Sequence, residues 1–142
     1  MTITKDYEGL KQIENGDYVL KGDLISDEDI EIELDDRLVV EGCIRSDRGI
    51  RASCSIIAGA GIEAGDGIEA GCGIKAGEGI KAGAGIEAGC GIKAGEYISS
   101  GKRIFAGISV FRDESDCDKT IICRELRRGT VAYGDLIIKE NE

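Results

Sequence analysis

From Gly61 to Glu96 the chain reads G-I-[EK]-A-G-x six times in tandem, without insertion. A short fixed period of this kind is the signature of a solenoid, in which each unit buries its apolar side only by stacking on its neighbours. The phase runs well beyond the perfect copies. Large apolar residues recur at Ile32, Leu38, Ile44, Ile50, Ile56, Ile62, Ile68, Ile74, Ile80, Ile86, Ile92, Ile98 and Ile104. Two residues after each stand Leu34, Val40, Ser46, Ala52, Ala58, Ala64, Ala70, Ala76, Ala82, Ala88, Ala94, Ser100 and Ala106. Residues two apart on a strand share a side, so each pair can point inward while the residue between them meets solvent. The Gly-x-Gly that follows is expected to turn the corner by adopting backbone angles closed to other residues.

Three such faces make a coil of about 18 residues, and thirteen units make roughly four coils about 20 Å long. Residues 18 apart should then stack. Outward columns follow as Arg45, Glu63, Lys81; Arg51, Glu69, Glu87; and Val39, Ile57, Lys75, Lys93. Corner columns follow as Arg48, Asp66, Ala84, Lys102 and Cys54, Cys72, Cys90. The expected fold is all-β, a single-stranded, three-sided parallel β-helix solenoid. It spans residues 32–106, between an irregular acidic N-terminal cap (1–31) and a small β-rich C-terminal cap or partner-binding segment (107–142). The absence of Pro fits backbone N–H groups committed to β-ladders. Aromatic residues at 4% and 22 glycines suit a narrow interior of small and medium aliphatic side chains.

The tandem hexapeptide resembles the three-sided parallel β-helix families. One is the left-handed β-helix of hexapeptide-repeat proteins, with the large and small inward positions exchanged here. The other is the bactofilin-like, polymer-forming group, which Glu41-Gly42-Cys43-Ile44 and Ala60-Gly61-Ile62-Glu63-Ala64 resemble. The likeness covers about residues 32–106 and implies architecture, with no activity attached.

At the ends the sequence suggests a short helix over Asp6–Gln12, and a strand pair formed by Tyr18–Leu20 and Leu24–Ile25 around Lys21-Gly22-Asp23. Beyond Ala106, Ile108–Phe111, Thr120–Cys123, Thr130–Tyr133 and Leu136–Ile138 are expected as strands. A polar loop runs from Arg112 to Lys119, and Arg127-Arg128-Gly129 separates the second strand from the third. Phe105, Phe111 and Tyr133 are expected to plug the open end.

The chain contains no His. The resemblance to hexapeptide-repeat acyltransferases and β-helix carbonic anhydrases implies a His base or His-held zinc, and neither can be carried onto this sequence. The expectation is a protein that is not an enzyme, with no catalytic residues, cofactor or metal. The recurring glycines lack the Lys and the strand-to-helix setting of a phosphate loop. The four Thr lie outside the repeats, which removes an ice-binding Thr face. Asp27-Glu28-Asp29-Ile30-Glu31 lacks calcium-loop spacing. Cys117 and Cys123 lack zinc spacing and Cys43 stands alone. The Cys54, Cys72, Cys90 column is expected to fill a small, semi-apolar corner, with a soft-metal or redox ladder as the functional alternative.

Net charge is −10, and residues 1–36 hold 12 acidic and 3 basic side chains. Direct nucleic-acid binding is not expected, because phosphate contacts need Lys and Arg. With no leader pattern and no long apolar run, the expectation is a cytoplasmic protein of bacterial or phage origin, without membrane contact. The expected function is that of a rigid, non-enzymatic rod that binds protein partners, or itself as a small oligomer, through an end or an outer face. The alternative is an acidic inhibitor or decoy that uses residues 23–36 to mimic nucleic-acid phosphates. Candidate partner-binding residues are Asp27, Glu28, Asp29, Glu31, Asp35 and Asp36 at the acidic end, with Val39 and Ile57 on an apolar outward column. The commoner role for such a segment is a solvated acidic cap, which would also block end-to-end stacking on the first open strand edge by like-charge repulsion.

Overall fold

The structure, a computed structural model, describes residues 1–107 and 119–139, and every regular element among them is a β-strand. The expectations for Ile108–Phe111, the polar loop, Phe111 and Cys117 lie outside the described residues. Two short strands, β1 (Thr2–Ile3) and β2 (Leu10–Gln12), precede a first coil of β3 (Tyr18–Leu20), β4 (Leu24–Ser26) and β5 (Ile30–Ile32). The second coil is β6 (Leu38–Val40), β7 (Ile44–Ser46) and β8 (Ile50–Ala52); the third is β9 (Ile56–Ala58), β10 (Ile62–Ala64) and β11 (Ile68–Ala70). The fourth is β12 (Ile74–Ala76), β13 (Ile80–Ala82) and β14 (Ile86–Ala88). In the fifth, β15 (Ile92–Ala94) is followed by one long strand, β16 (Tyr97–Ala106), that covers two faces. The sixth repeats that plan with β17 (Thr120–Cys123) and β18 (Glu125–Tyr133), and β19 (Asp135–Ile138) starts a further coil.

The molecule is a parallel β-solenoid with three strands per coil. The first face stacks β3, β6, β9, β12, β15, β17 and β19, the second runs from β4 to β18, and the third runs from β1 to β18. Register is set at 18 residues through the repeat: Ile62 lies between Ile44 and Ile80, and Glu63 between Arg45 and Lys81. The inward Ile residues are almost fully buried, and the Ala residues beside them are at most 5% exposed. Burial of each Ile is worth roughly 1.5–3 kcal/mol, repeated along every face. Where Ser replaces Ala, its hydroxyl is satisfied: Ser46 Oγ donates to Glu28 O at 2.6 Å and Ser100 Oγ to Ala84 O at 2.7 Å.

Several expectations change. The solenoid has about six coils instead of four, because Tyr18–Ile32 and Thr120–Ile138 also stack in parallel register. Tyr18–Leu20 and Leu24–Ser26 are strands but do not pair with each other; each joins the next coil, on β6 and β7. The inward pair of the first coil is Ile30 and Ile32, opposite Ile50 and Ala52, not Ile32 and Leu34. Five residues (33–37) separate β5 from β6, where later coils use three, so the first coil is 20 residues long. Leu34 turns into this wider corner and is still buried. Its N–H donates to Ser53 Oγ at 3.2 Å, and that hydroxyl donates back to Leu34 O at 2.7 Å.

The expected helix over Asp6–Gln12 is replaced by turns and β2, which pairs antiparallel with β3. The free edge of β3 offers ladder partners, and Gly9 at φ 88° breaks any helical run. Near the other end, Arg127-Arg128-Gly129 lies inside β18, which bends at Gly129 (φ 115°) to pass between faces.

The glycine expectation also changes. No repeat glycine from Gly42 to Gly101 has positive φ. What excludes a side chain is proximity: a Cβ on Gly77 would overlap the carbonyl of Gly59 one coil below. That approach lets the corner bond backbone to backbone, with Gly77 N donating to Ala58 O at 3.0 Å and Glu78 N to Ala60 O at 3.1 Å.

Candidate functional site at the ends and outer columns

The acidic segment forms the outside of the first coil, where the structure splits it between two corners. Asp27, Glu28 and Asp29 occupy the corner between β4 and β5; Asp35 and Asp36 occupy the wide corner between β5 and β6. Glu31 points outward between them. Some of these carboxylates carry structural duties. Asp29 Oδ1 accepts from Gly49 N at 2.8 Å, and Asp23 Oδ1 accepts from Cys43 N at the same distance. Asp35 Oδ1 accepts from Tyr18 OH at 2.7 Å, which holds that phenol above its ordinary pKa, with a smaller contribution from burial. Asp36 Oδ1 accepts from Arg37 N at 2.8 Å. Asp27, Glu28 and Glu31 present exposed side chains.

Sequence reasoning missed the ion pair beneath them. Arg37 Nε donates to Asp17 Oδ1 at 2.9 Å, and Asp17 is only 6% exposed. The two residues stand 20 apart, the spacing of the widened coil, which was the available signal.

Val39 and Ile57 are brought side by side on the first face. Val19 extends the column below them, and Lys75, Lys93, Ile122 and Ile137 continue it above. Val39 and Ile57 are half-buried, and a groove of about 360 Å³ passes Ile57, Lys75, Lys93 and Ile122. The candidate residues therefore form separate places on the molecule and not one patch.

On the third face the column reads Glu31, Arg51, Glu69, Glu87, Phe105, along a groove of about 440 Å³. Arg51 Nε meets Glu69 Oε2 at 3.0 Å. Glu87 has Glu69 on one side and Phe105 on the other. Burial first, then repulsion from Glu69, raises its carboxyl above the ordinary range. Phe105 thus faces outward and does not plug the end, and Tyr133, paired with it, is 47% exposed. An aromatic residue between two inward positions has to point outward.

The cysteine column is assembled, with Cys90 N donating to Cys72 O at 3.1 Å; Cys90 is buried and its two companions half-buried. Burial pushes the Cys43 and Cys123 thiols up, and the Asp23 carboxylate adds to this at Cys43. That is the opposite of activation, which needs a depressed pKa. Among the described residues, no group of three or more His, Cys, Asp or Glu is placed to hold a metal ion. No helix among them is long and apolar enough to cross a membrane.

The ends supply what the sequence did not signal. Among the described residues, the large apolar side chains that are exposed are Met1, Ile13 and Ile25 at one end and Tyr133, Leu136, Ile137 and Ile138 at the other. The basic residues Lys119, Arg124, Arg127, Arg128 and Lys139 belong to the same C-terminal strands and turns as the second group. Arg127 also stacks on the Tyr97 ring, 3.9 Å from its centroid. These features define a three-sided parallel β-solenoid with exposed apolar residues at its ends, two mainly charged walls and a first face whose outward column is partly apolar. Comparison with protein-family models, curated proteins and solved structures found no match to this chain.

Proposed function

We propose that this chain is a non-enzymatic structural or interaction protein of the hexapeptide-repeat kind, a rigid solenoid that engages protein partners through its ends. One observation carries the reading: exposed large apolar side chains gather at the two ends, while the outward columns between them are mostly charged. Apolar surface of this kind marks contact sites, and stacked coils give it a stiff mount. The test is site-specific photo-crosslinking in the native host. A crosslinker at Ile137 or Ile25 should give discrete adducts, and one at Lys81 should give none. Equal labelling at all three positions would refute the end-binding reading.

The decoy reading rests on narrower support, the exposed Asp27, Glu28 and Glu31 on one edge of the first coil. It requires that Asp27→Asn, Glu28→Gln and Glu31→Gln together abolish capture of a basic partner. Unchanged capture removes it.

A further inference from the structure

Building on the end-binding reading, we infer that the partner fitted by each end is a second copy of this chain, joined head to tail after a turn of about one face. The two ends are stepped in complementary ways. At the N-terminal end the first face finishes on β2 and the third on β1, each one strand beyond the first coil, while the second face stops at β4. This leaves a notch one strand deep. At the C-terminal end, among the described residues, the second and third faces reach β18 and the first continues one strand further to β19. This leaves a projection one strand high. When one copy is rotated so that its first face meets the other's second face, β19 enters the notch above β4. The two halves of β18 then meet β1 and β2, so three open edges are covered at once. Open edges carry unpaired N–H and C=O groups that template another strand.

The side chains on these edges agree with the step. Pairing β19 with β4 in the register used throughout the coil puts Leu136 over the inward Leu24. It also sets Ile137 beside Ile25, which is 57% exposed and has no apolar neighbour above or below it on the same column, since Arg45 follows it. One residue further, Lys139 falls beside Asp27. On the joining strands residues 119–139 hold 5 basic and 2 acidic side chains, against 12 acidic and 3 basic in residues 1–36, within a C-terminal stretch (107–142) that holds 6 basic and 8 acidic in all. Opposite charges across adjacent strands attract and like charges repel. One pair opposes the contact, because Asp135 falls beside Asp23. A joint between two different ends repeats without closing, so the species expected is a series of short rods whose length grows with concentration.

The experiment is sedimentation velocity over a wide concentration range on the full chain, with circular dichroism to verify that each variant keeps its β-structure. The wild type should form a concentration-dependent series that shortens in high salt. Ile25→Lys and Ile137→Lys should each weaken association roughly tenfold or more, as buried hot spots do. Mixed in equal amounts, these two variants should give dimers and nothing longer, because one intact head and one intact tail remain between them. Asp135→Asn, which removes the like-charge pair without disturbing the core, should tighten association about twofold to fivefold. A wild type that stays monomeric throughout overturns the inference, as does a mixture that gives no dimer. If end-specific crosslinks to other proteins persist in the host in that case, the end-binding reading survives and only the identity of the partner changes.

Discussion

The first coil and the repeat coils share the backbone bonds that join one corner to the next, and differ in what is added to them. In the perfect copies the corner residue Gly77 sits so close to the coil below that only hydrogen fits, and the backbone bonds directly across the gap. In the first coil the backbone also bonds across its corners, Gly42 N donating to Gly22 O at 2.8 Å and Asp47 N to Ser26 O at 3.1 Å, and the side chains of Asp23 and Asp29 add to this, each carboxylate taking an N–H from the coil above. The inward positions differ as well. Repeat coils pair Ile with Ala, whereas the early coils carry Ile32, Leu34 and Val40 where Ala later stands or nearby. The comparison teaches that uniform glycine corners allow one coil to repeat the last, while a lengthened corner and added carboxylate acceptors make a coil unlike its neighbours. That unlikeness is what a terminal unit needs.

The largest expected effect tests the shared core. Ile80→Ala removes a fully buried side chain from the middle of a face and should cost about 2–5 kcal/mol in denaturant unfolding. Leu136→Ala, at a position 40% exposed, should cost well under half of that. Equal losses would mean that the C-terminal coil is as tightly covered as the middle.

The glycine corner is tested next. Gly77→Ala should cost about 1–3 kcal/mol through overpacking against the Gly59 carbonyl. Gly73→Ala, whose nearest atom would be Gly91 O at 3.3 Å, should cost less. If both cost the same, proximity is not the reason for the first glycine. The matching test in the first coil is Asp29→Ala, which strips the acceptor from Gly49 N and should cost about 0.5–1.5 kcal/mol. Asp27→Ala, an exposed neighbour, should stay within about 0.5 kcal/mol of wild type. Both are read from thermal or denaturant unfolding.

The same comparison explains what was legible in the sequence. Through the repeat, Ile and Ala are separated by charged residues and glycines, so only one phase puts them inside, and the 18-residue columns follow correctly. In the first coil Ile30, Ile32 and Leu34 alternate with acids, and a shift of two residues leaves an equally apolar inward set. Nothing in that alternation distinguishes the pair Ile30 and Ile32 from Ile32 and Leu34; the choice is made by register with Ile50 and Ala52. In the last coils the Ala-Gly signature disappears, so Thr120–Cys123 and Leu136–Ile138 are visible as strands but not as coils. Of the candidate site, the acidic composition and the Val39–Ile57 adjacency were readable. The division of carboxylates between bonding and exposed roles was not, because it depends on which N–H each one faces.

The smallest effect concerns a place where the repeat is imperfectly matched. Going up the third face, Arg51 offsets Glu69, but Glu87 follows Glu69 with no cation of its own column beside it. Burial first, and then repulsion from Glu69, makes its carboxyl easier to protonate in the folded chain than the ordinary 4.5. A carboxyl raised in this way opposes folding when ionised, so its cost is fully present above the folded pKa. The cost fades as pH falls through that value and is gone below the unfolded one. Glu87→Gln should accordingly stabilise the protein by about 0.2–1 kcal/mol at neutral pH and by nothing near pH 4. Glu69→Gln should move the balance differently, since it removes a repulsion at Glu87 but also strands Arg51 without its partner. The measurement is the difference in unfolding free energy between each variant and wild type across pH 4–8. A Glu87→Gln gain that does not change with pH would mean that packing beside Phe105, and not charge, is what the substitution relieves.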